Sequence, residues 1–468
     1  MFENYIDKYK DDIVSKTIRL IQIPSIHEES KNPSKPFGEE ADKALEYFLS
    51  LGAELGFRTK NIDGYCGYVE FGEGSELVGI IGHLDVVPVG DGWTYEPFEG
   101  TIHNGNLYGR GAIDDKGPVI ASLYAMKVVM DNYKVNKRVR LIVGINEERD
   151  WKCIEYYKGH EEIPTIAFSP DADFPCIYAE KGVLTLFLQD DYSSYLNEPI
   201  IIEDVNCKNN AINVVPKECT TTIRINNDNI SVDSLIDTVN LISEANSFKI
   251  NIKKLDNKRI SIISLGTASH AAHPEHGSNA ISKLLVLLYE VFSKYNTNIG
   301  ILHFFYNYLG LDYNGSKLGI NIEDESGKLT INVGNISIED NKLKLGLNIR
   351  VPVKTKLSII TDKFIEASNP YPKITVKVND IKEPLYVPKN NYLINTLCDI
   401  YNKMTGQNAE PIAIGGATYA RAFSNCVSFG ANMPGNKDMC HQADEYININ
   451  DLILASKIYA EAIYKLAN

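Results

Sequence analysis

A chain of 468 residues exceeds what one ordinary hydrophobic core covers, so two or three domains are expected. Its 44% hydrophobic and 23% charged residues are those of a soluble globular protein, and a formal charge of −14 excludes the dominant basic surface that nucleic acid or an anionic membrane requires. The eight cysteines are scattered with no C-x-x-C pair, which argues against a disulfide framework and for a reducing compartment.

The opening segment, MFENYIDKYKDD, is amphipathic and charged rather than basic and then apolar. No secretory signal is expected from it, and the expected location is the cytoplasm. Residues 5–22 carry Ile6, Tyr9, Ile13 and Ile21 at helical spacing. Residues 38–55 do the same with Ala41, Leu45, Phe48 and Leu49, with Gly56 at the expected C-cap. LVGIIG (77–82) and VRLIVGI (139–145) are short β-branched runs suited to buried parallel strands. Between them Pro118 opens a helix through Met130, and TIAF (165–168) reads as a further strand. Such alternation is an α/β pattern, whose ligands gather just after the strands.

The middle of the chain contains an internal repeat. One copy begins AINVVPKECTTTIRINN at Ala211 and the other LTINVGNISIEDNKLKLGLNIRV at Leu329. Asn213 then aligns with Asn332 and Arg224 with Arg350, and helices are expected over 232–245 and 355–367. The apolar run from Leu284 to Phe292 is short and contains Glu290, so no membrane span is expected. After Pro384 the α/β pattern returns, with helices over 391–404 and 450–466. The expected architecture is a discontinuous α/β catalytic domain, 1–188 and 384–468. An α+β lid, 189–383, is inserted in it and made of two similar β-β-α-β halves.

Chemistry-bearing residues follow the predicted strands. GHLD places His83 and Asp85 on one face at period two, where the carboxylate can ligate beside the imidazole or accept its other ring N–H. In GRGAIDDKGP, an aspartate with both oxygens available can bridge two cations, or simply cap the next helix. Adjacent Glu147 and Glu148 point apart, so one can ligate while the other stays available as a base. Asp171 and Asp173 follow TIAF, and His441 lies in MCHQADE beside Cys440, which is assigned to packing.

Taken together, these segments resemble the di-zinc family of aminoacylases, glutamate carboxypeptidases and dipeptidases. They are most similar to the bacterial dipeptidase V group of Xaa-His or carnosinase-like dipeptidases. GHLDVVPVGDGW, YGRGAIDDKGP, NEERDWKC, FSPDADFP, the EKG at 180–182, IGGATYAR and PG-x-x-x-x-x-H carry the resemblance across essentially the whole chain. It implies that His83 and Asp171 hold one metal, Glu148 and His441 the other, and that Asp114 bridges them through a cis Asp114–Asp115 peptide. Asp85 would orient His83, and Glu147 would be the general base. In GTASHAAHPEHGSNA, spacing alone leaves His270, His273 and His276 open, and the resemblance selects His270 as donor to the oxyanion. It also implies substrate contacts for Asn213, Arg350, Gly415, Gly416 and Thr418. Ala417 and the segment Gln442-Ala443-Asp444 depart from the group's pattern, which bears on specificity rather than on metal ligands.

The expected function is therefore a dipeptidase using two divalent cations, zinc with manganese as the alternative. Substrates are small peptides with no nucleic-acid or membrane partner. An N-acyl amino acid deacylase of the same fold, and a non-catalytic metal-binding scaffold, are the competing readings. Because the lid's two halves could imitate a dimer within one chain, a monomer is expected.

Overall fold

The computed structural model describes residues 2–207 and 211–468. The chain forms two compact units. The first comprises Met1–Ala179, Leu385–Ile412 and Ala417–Asn468, and the second Glu180–Pro384 with Ala413–Gly416. The expected boundary at 188 would cut the strand Gly182–Asp191. That strand pairs along its whole length with Lys342–Val351 and so belongs to the second unit.

In the first unit, Leu77–His83 is buried throughout and lies parallel to both Arg138–Gly144 and Ile166–Ser169. Cys426–Ser428 adds parallel to Ile166–Ser169, and Cys66–Phe71 closes antiparallel on Arg138–Gly144. Near-continuous apolar, β-branched strands are what a sheet covered on both faces demands. Helices cover it: Lys10–Ile21, Glu39–Glu54, Lys116–Asn132, Tyr392–Thr405 and Ile449–Leu466. The helix expected over 5–22 is divided, since Glu3–Asp7 ends before Lys10–Ile21 begins. Gly56 adopts a φ of 93°, left-handed backbone that favours glycine at a helix end.

The second unit carries an antiparallel sheet over a separate apolar core. Its strand order is Ile250–Lys254, Arg259–Leu265, Glu218–Ile225, Ile200–Asn206, Thr330–Glu339, Lys342–Val351, Gly182–Asp191, Ile374–Lys382. The two halves meet where Asn206 pairs with Ser337. The helices Val232–Ala245 and Leu357–Ser368 occupy equivalent places, and each half contains a β-β-α-β path.

One part of the repeat differs from expectation. The first strand of the first half is Ile200–Asn206, and the INV at 212–214 is a turn. Asn332, buried in the second half, donates from Nδ2 to Ile212 O at 3.0 Å and to Val214 O at 2.9 Å. Gly334 lies against the Ile212 carbonyl so closely that a Cβ there would collide with it. The carbonyls at 212 and 214 are therefore met by an asparagine, and Val214 keeps only an isolated bridge to His270 in place of a strand ladder.

Candidate metal centre

The centre is built at the ends of the first unit's strands. His83 terminates Leu77–His83, with its imidazole fully buried. Its backbone N–H donates to Asp115 Oδ2 at 3.1 Å, and Gly82 leaves the room that this carboxyl group occupies. The His83 Nδ1 lies 3.0 Å from the Asp85 carbonyl and 3.6 Å from Asp85 Oδ1. Asp85 thus orients the ring mainly through its backbone, and its carboxylate has another task. Oδ1 accepts the Glu147 N–H and Oδ2 the Glu148 N–H, both at 3.0 Å. Beyond that loop, Asn146 Oδ1 accepts from Lys152 N at 3.0 Å, at the start of the helix Lys152–His160.

Asp114 divides its two oxygens between two imidazoles. Oδ1 is 3.0 Å from His83 Nε2, and Oδ2 is 3.0 Å from His441 Nε2. Asp171 Oδ1 approaches His83 Nε2 at 3.7 Å, and Glu148 Oε1 approaches His441 Nε2 at 3.1 Å. Three groups result, each with donor atoms within 4.8 Å of one another: His83–Asp114–Asp171, Asp114–Glu148–His441 and His83–Glu147–Glu148. The Asp114–Asp115 peptide is cis.

Electrostatics follow from crowding. Burial by itself would lower the His83 pKa, but Asp171 and the bond to Asp114 hold it well above the ordinary imidazole value. His441, bonded to Asp114 and Glu148, is pushed up to about 11. Burial opposes ionisation of Asp114, yet the bonds to His441 and His83 overcome it and hold the carboxyl far below its usual range. Burial, reinforced by the Asp114 charge, pushes Glu148 up to about 7. Burial also drives Glu147 well above a normal glutamate. The carboxyl groups of Asp85, Asp114, Asp115, Glu147, Glu148 and Asp171 together crowd two imidazoles. That donor set, nitrogen and oxygen with excess negative charge, fits divalent cations.

The sequence motifs do not single out Arg110 or Glu445. Both are buried and pair at 2.7 Å, and Glu445 Oε1 accepts the Asp114 N–H at 3.3 Å. Each sits inside a recognised segment, but an unassigned charge in a loop has no periodicity to mark it. Tyr419 presents its ring edge-on to His83, with centroids 6.1 Å apart. In the departing segment, Asp444 Oδ1 accepts from Thr94 N at 2.7 Å and pins that loop.

Within the second unit, Val214 bridges His270, and Ala271 N donates to Asn213 O at 2.8 Å. The Ala272 N–H donates to His270 Nδ1 at 3.3 Å. His273 and His276 instead stack on each other in the following exposed turn. Arg350 donates from Nε to Asn348 Oδ1 at 2.9 Å and from Nη1 to Gly415 O at 2.8 Å. Gly415 packs so closely on Ala272 that a Cβ would lie 2.7 Å from that residue's own. Thr418, in the first unit, has its hydroxyl 2.7 Å from Ser428 Oγ and accepts the Ala420 N–H at 3.1 Å.

Residues 79–465 match the profile of Peptidase family M20/M25/M40. A Bacillus subtilis protein named "Putative dipeptidase YtjP" is 38% identical over 472 residues, covering 100% of this chain and 99% of that protein. The fold is similar to that of human carnosine dipeptidase 1, with a TM-score of 0.60 at 16% identity over 99% of this chain and 98% of that one. It is similar also to the Saccharomyces cerevisiae di-peptidase Dug1p, with a TM-score of 0.59 at 14% identity over 99% and 97%. The profile spans most of the chain and the Bacillus relative all of it, so the protein belongs to Peptidase family M20/M25/M40.

Proposed function

We propose that this chain is a metal-dependent dipeptidase, cleaving the bond of unblocked dipeptides. The observation that carries the reading is the division of Asp114's oxygens between His83 and His441, flanked by Asp171 on one side and Glu148 on the other. His83 and Asp171 would hold one cation, Glu148 and His441 the second, and Asp114 both. Two such cations, when bound, supply Lewis acidity toward a carbonyl and lower the pKa of a water. Zinc suits the imidazole and carboxylate donors, with manganese the alternative.

Glu147 is the proposed base. Its backbone is fixed by Asp85, and its half-buried carboxyl is held well above an ordinary glutamate by desolvation, which favours taking up a proton. It would remove a proton from the water and deliver it to the leaving amine. His270 is the proposed donor to the oxyanion. An N–H already directed at Nδ1 leaves the imidazole proton on Nε2, which is the donor this task needs. Arg350, its guanidinium held by Asn348 and Gly415, suits a substrate carboxylate. Asn213 and Gly416 are proposed to contact the substrate beside it. Thr418 is proposed to contact the substrate with them, its hydroxyl being positioned by Ser428 Oγ and by the Ala420 N–H that it accepts.

A deacylase of the same fold would prefer a substrate lacking the free amine. Steady-state hydrolysis of Ala-His against N-acetyl-His by the zinc-loaded protein separates the two. Preference for Ala-His is expected, and preference for N-acetyl-His would overturn the dipeptidase assignment.

A further inference from the structure

Arg110 and Glu445 are 1% and 0% exposed, and neither belongs to a cation-ligand group among the described residues. Their pairing leaves each with atoms for other work. Glu445 Oε1 accepts the Ile113 N–H at 3.1 Å and the Asp114 N–H at 3.3 Å, the peptide on which the shared carboxylate stands. Arg110 Nη1 donates to Gln442 O at 3.2 Å, and Nη2 to Val89 O at 3.2 Å and Pro88 O at 3.4 Å. Nη2 also reaches the carbonyl of His441 itself at 3.5 Å. His441 has a φ of 64°, a left-handed conformation that its own side chain does not favour, so the turn depends on outside support. Trp93 covers the guanidinium, with 5.2 Å between Cζ and the ring centroid. One buried ion pair thus joins the Asp114 peptide to the His441 turn, segments far apart in the chain.

We propose that Arg110 and Glu445 are positioning residues that preset Asp114 and His441 for the cation they share with Glu148. This rests on the two-cation reading above. A buried ion pair is poor evidence of stabilisation, because desolvation offsets much of the attraction. What the pair does supply is geometry. A planar five-donor fork meets the Glu445 carboxylate and the carbonyls of Gln442, Pro88, Val89 and His441 together, more acceptors than the three donors of a lysine ammonium serve.

The test uses the full chain, stripped of metal with a chelator and titrated with zinc alone against a chromophoric competitor. Circular dichroism of the metal-free protein is recorded beside it. R110K keeps a charge facing Glu445 but loses the fork. E445Q keeps an oxygen for the Ile113 and Asp114 N–H groups but loses the charge. In both, one zinc ion is expected to bind about 10–100-fold more weakly, and the other, which shares Asp114 but not His441, to be weakened clearly less, with the dichroism unchanged. Unchanged affinity for both ions in both variants would overturn the proposal. So would equal weakening of the two ions, which signals general loosening, or failure of both variants to fold without metal. If only one variant fails to fold, the other decides. A parent that binds two zinc ions yet cleaves no dipeptide would sink the functional reading and leave this one standing.

Discussion

On the proposed reading Glu147 and Glu148 have different tasks: Asp85 clamps both of their N–H groups, and Glu148 reaches His441 while Glu147 has no imidazole at hydrogen-bond distance among the described residues. E147Q should therefore retain both zinc ions while its kcat on Ala-His falls by about 10²–10⁴-fold. Metal analysis paired with steady-state rates checks this, and a parental rate would remove Glu147 from the mechanism. Protonation gives a second prediction. His83 and His441 both have raised pKa values, so in metal-free protein near neutral pH both imidazoles carry a proton that a cation must displace. Zinc affinity should thus rise as pH rises from about 6 to about 8, with net proton release. Calorimetry in buffers of differing ionisation enthalpy measures it, and zero protons released would contradict the assigned charge states.

At the scale of the element, Asn332 shows how a strand residue can govern a distant turn. N332A removes the amide that donates to the Ile212 and Val214 carbonyls and should cost about 1–3 kcal/mol in denaturant unfolding. Because that turn carries Asn213, KM should rise as well. An unfolding midpoint and KM equal to the parent's would show that the turn holds itself. The same segment marks the limit of what the sequence reveals. Strands such as Leu77–His83 and Arg138–Gly144 are legible because burial on both faces forces unbroken apolar runs, and the candidate ligands His83, Glu148 and Asp171 stand out because they end or follow such runs. Ile212 and Val214 look equally strand-like, yet tertiary hydrogen bonds from Asn332 turn them aside. Arg110 and Glu445 escape for the opposite reason, since their meaning lies wholly in which backbone groups they reach.

For the whole molecule, the second unit is a sheet whose two halves each supply a β-β-α-β path and join edge to edge at Asn206 and Ser337. A chain that already pairs two such halves has less need of a partner copy, and sedimentation velocity should give the mass of one chain. An obligate dimer would contradict that expectation. On the proposed reading, catalysis by this chain requires two cations held about Asp114. Zinc titrated into metal-free protein while Ala-His hydrolysis is followed tests it most directly. No hydrolysis is expected without metal, and the rate should reach its plateau at two zinc ions per chain. Full activity in the metal-free protein, or a plateau at one ion, would contradict it.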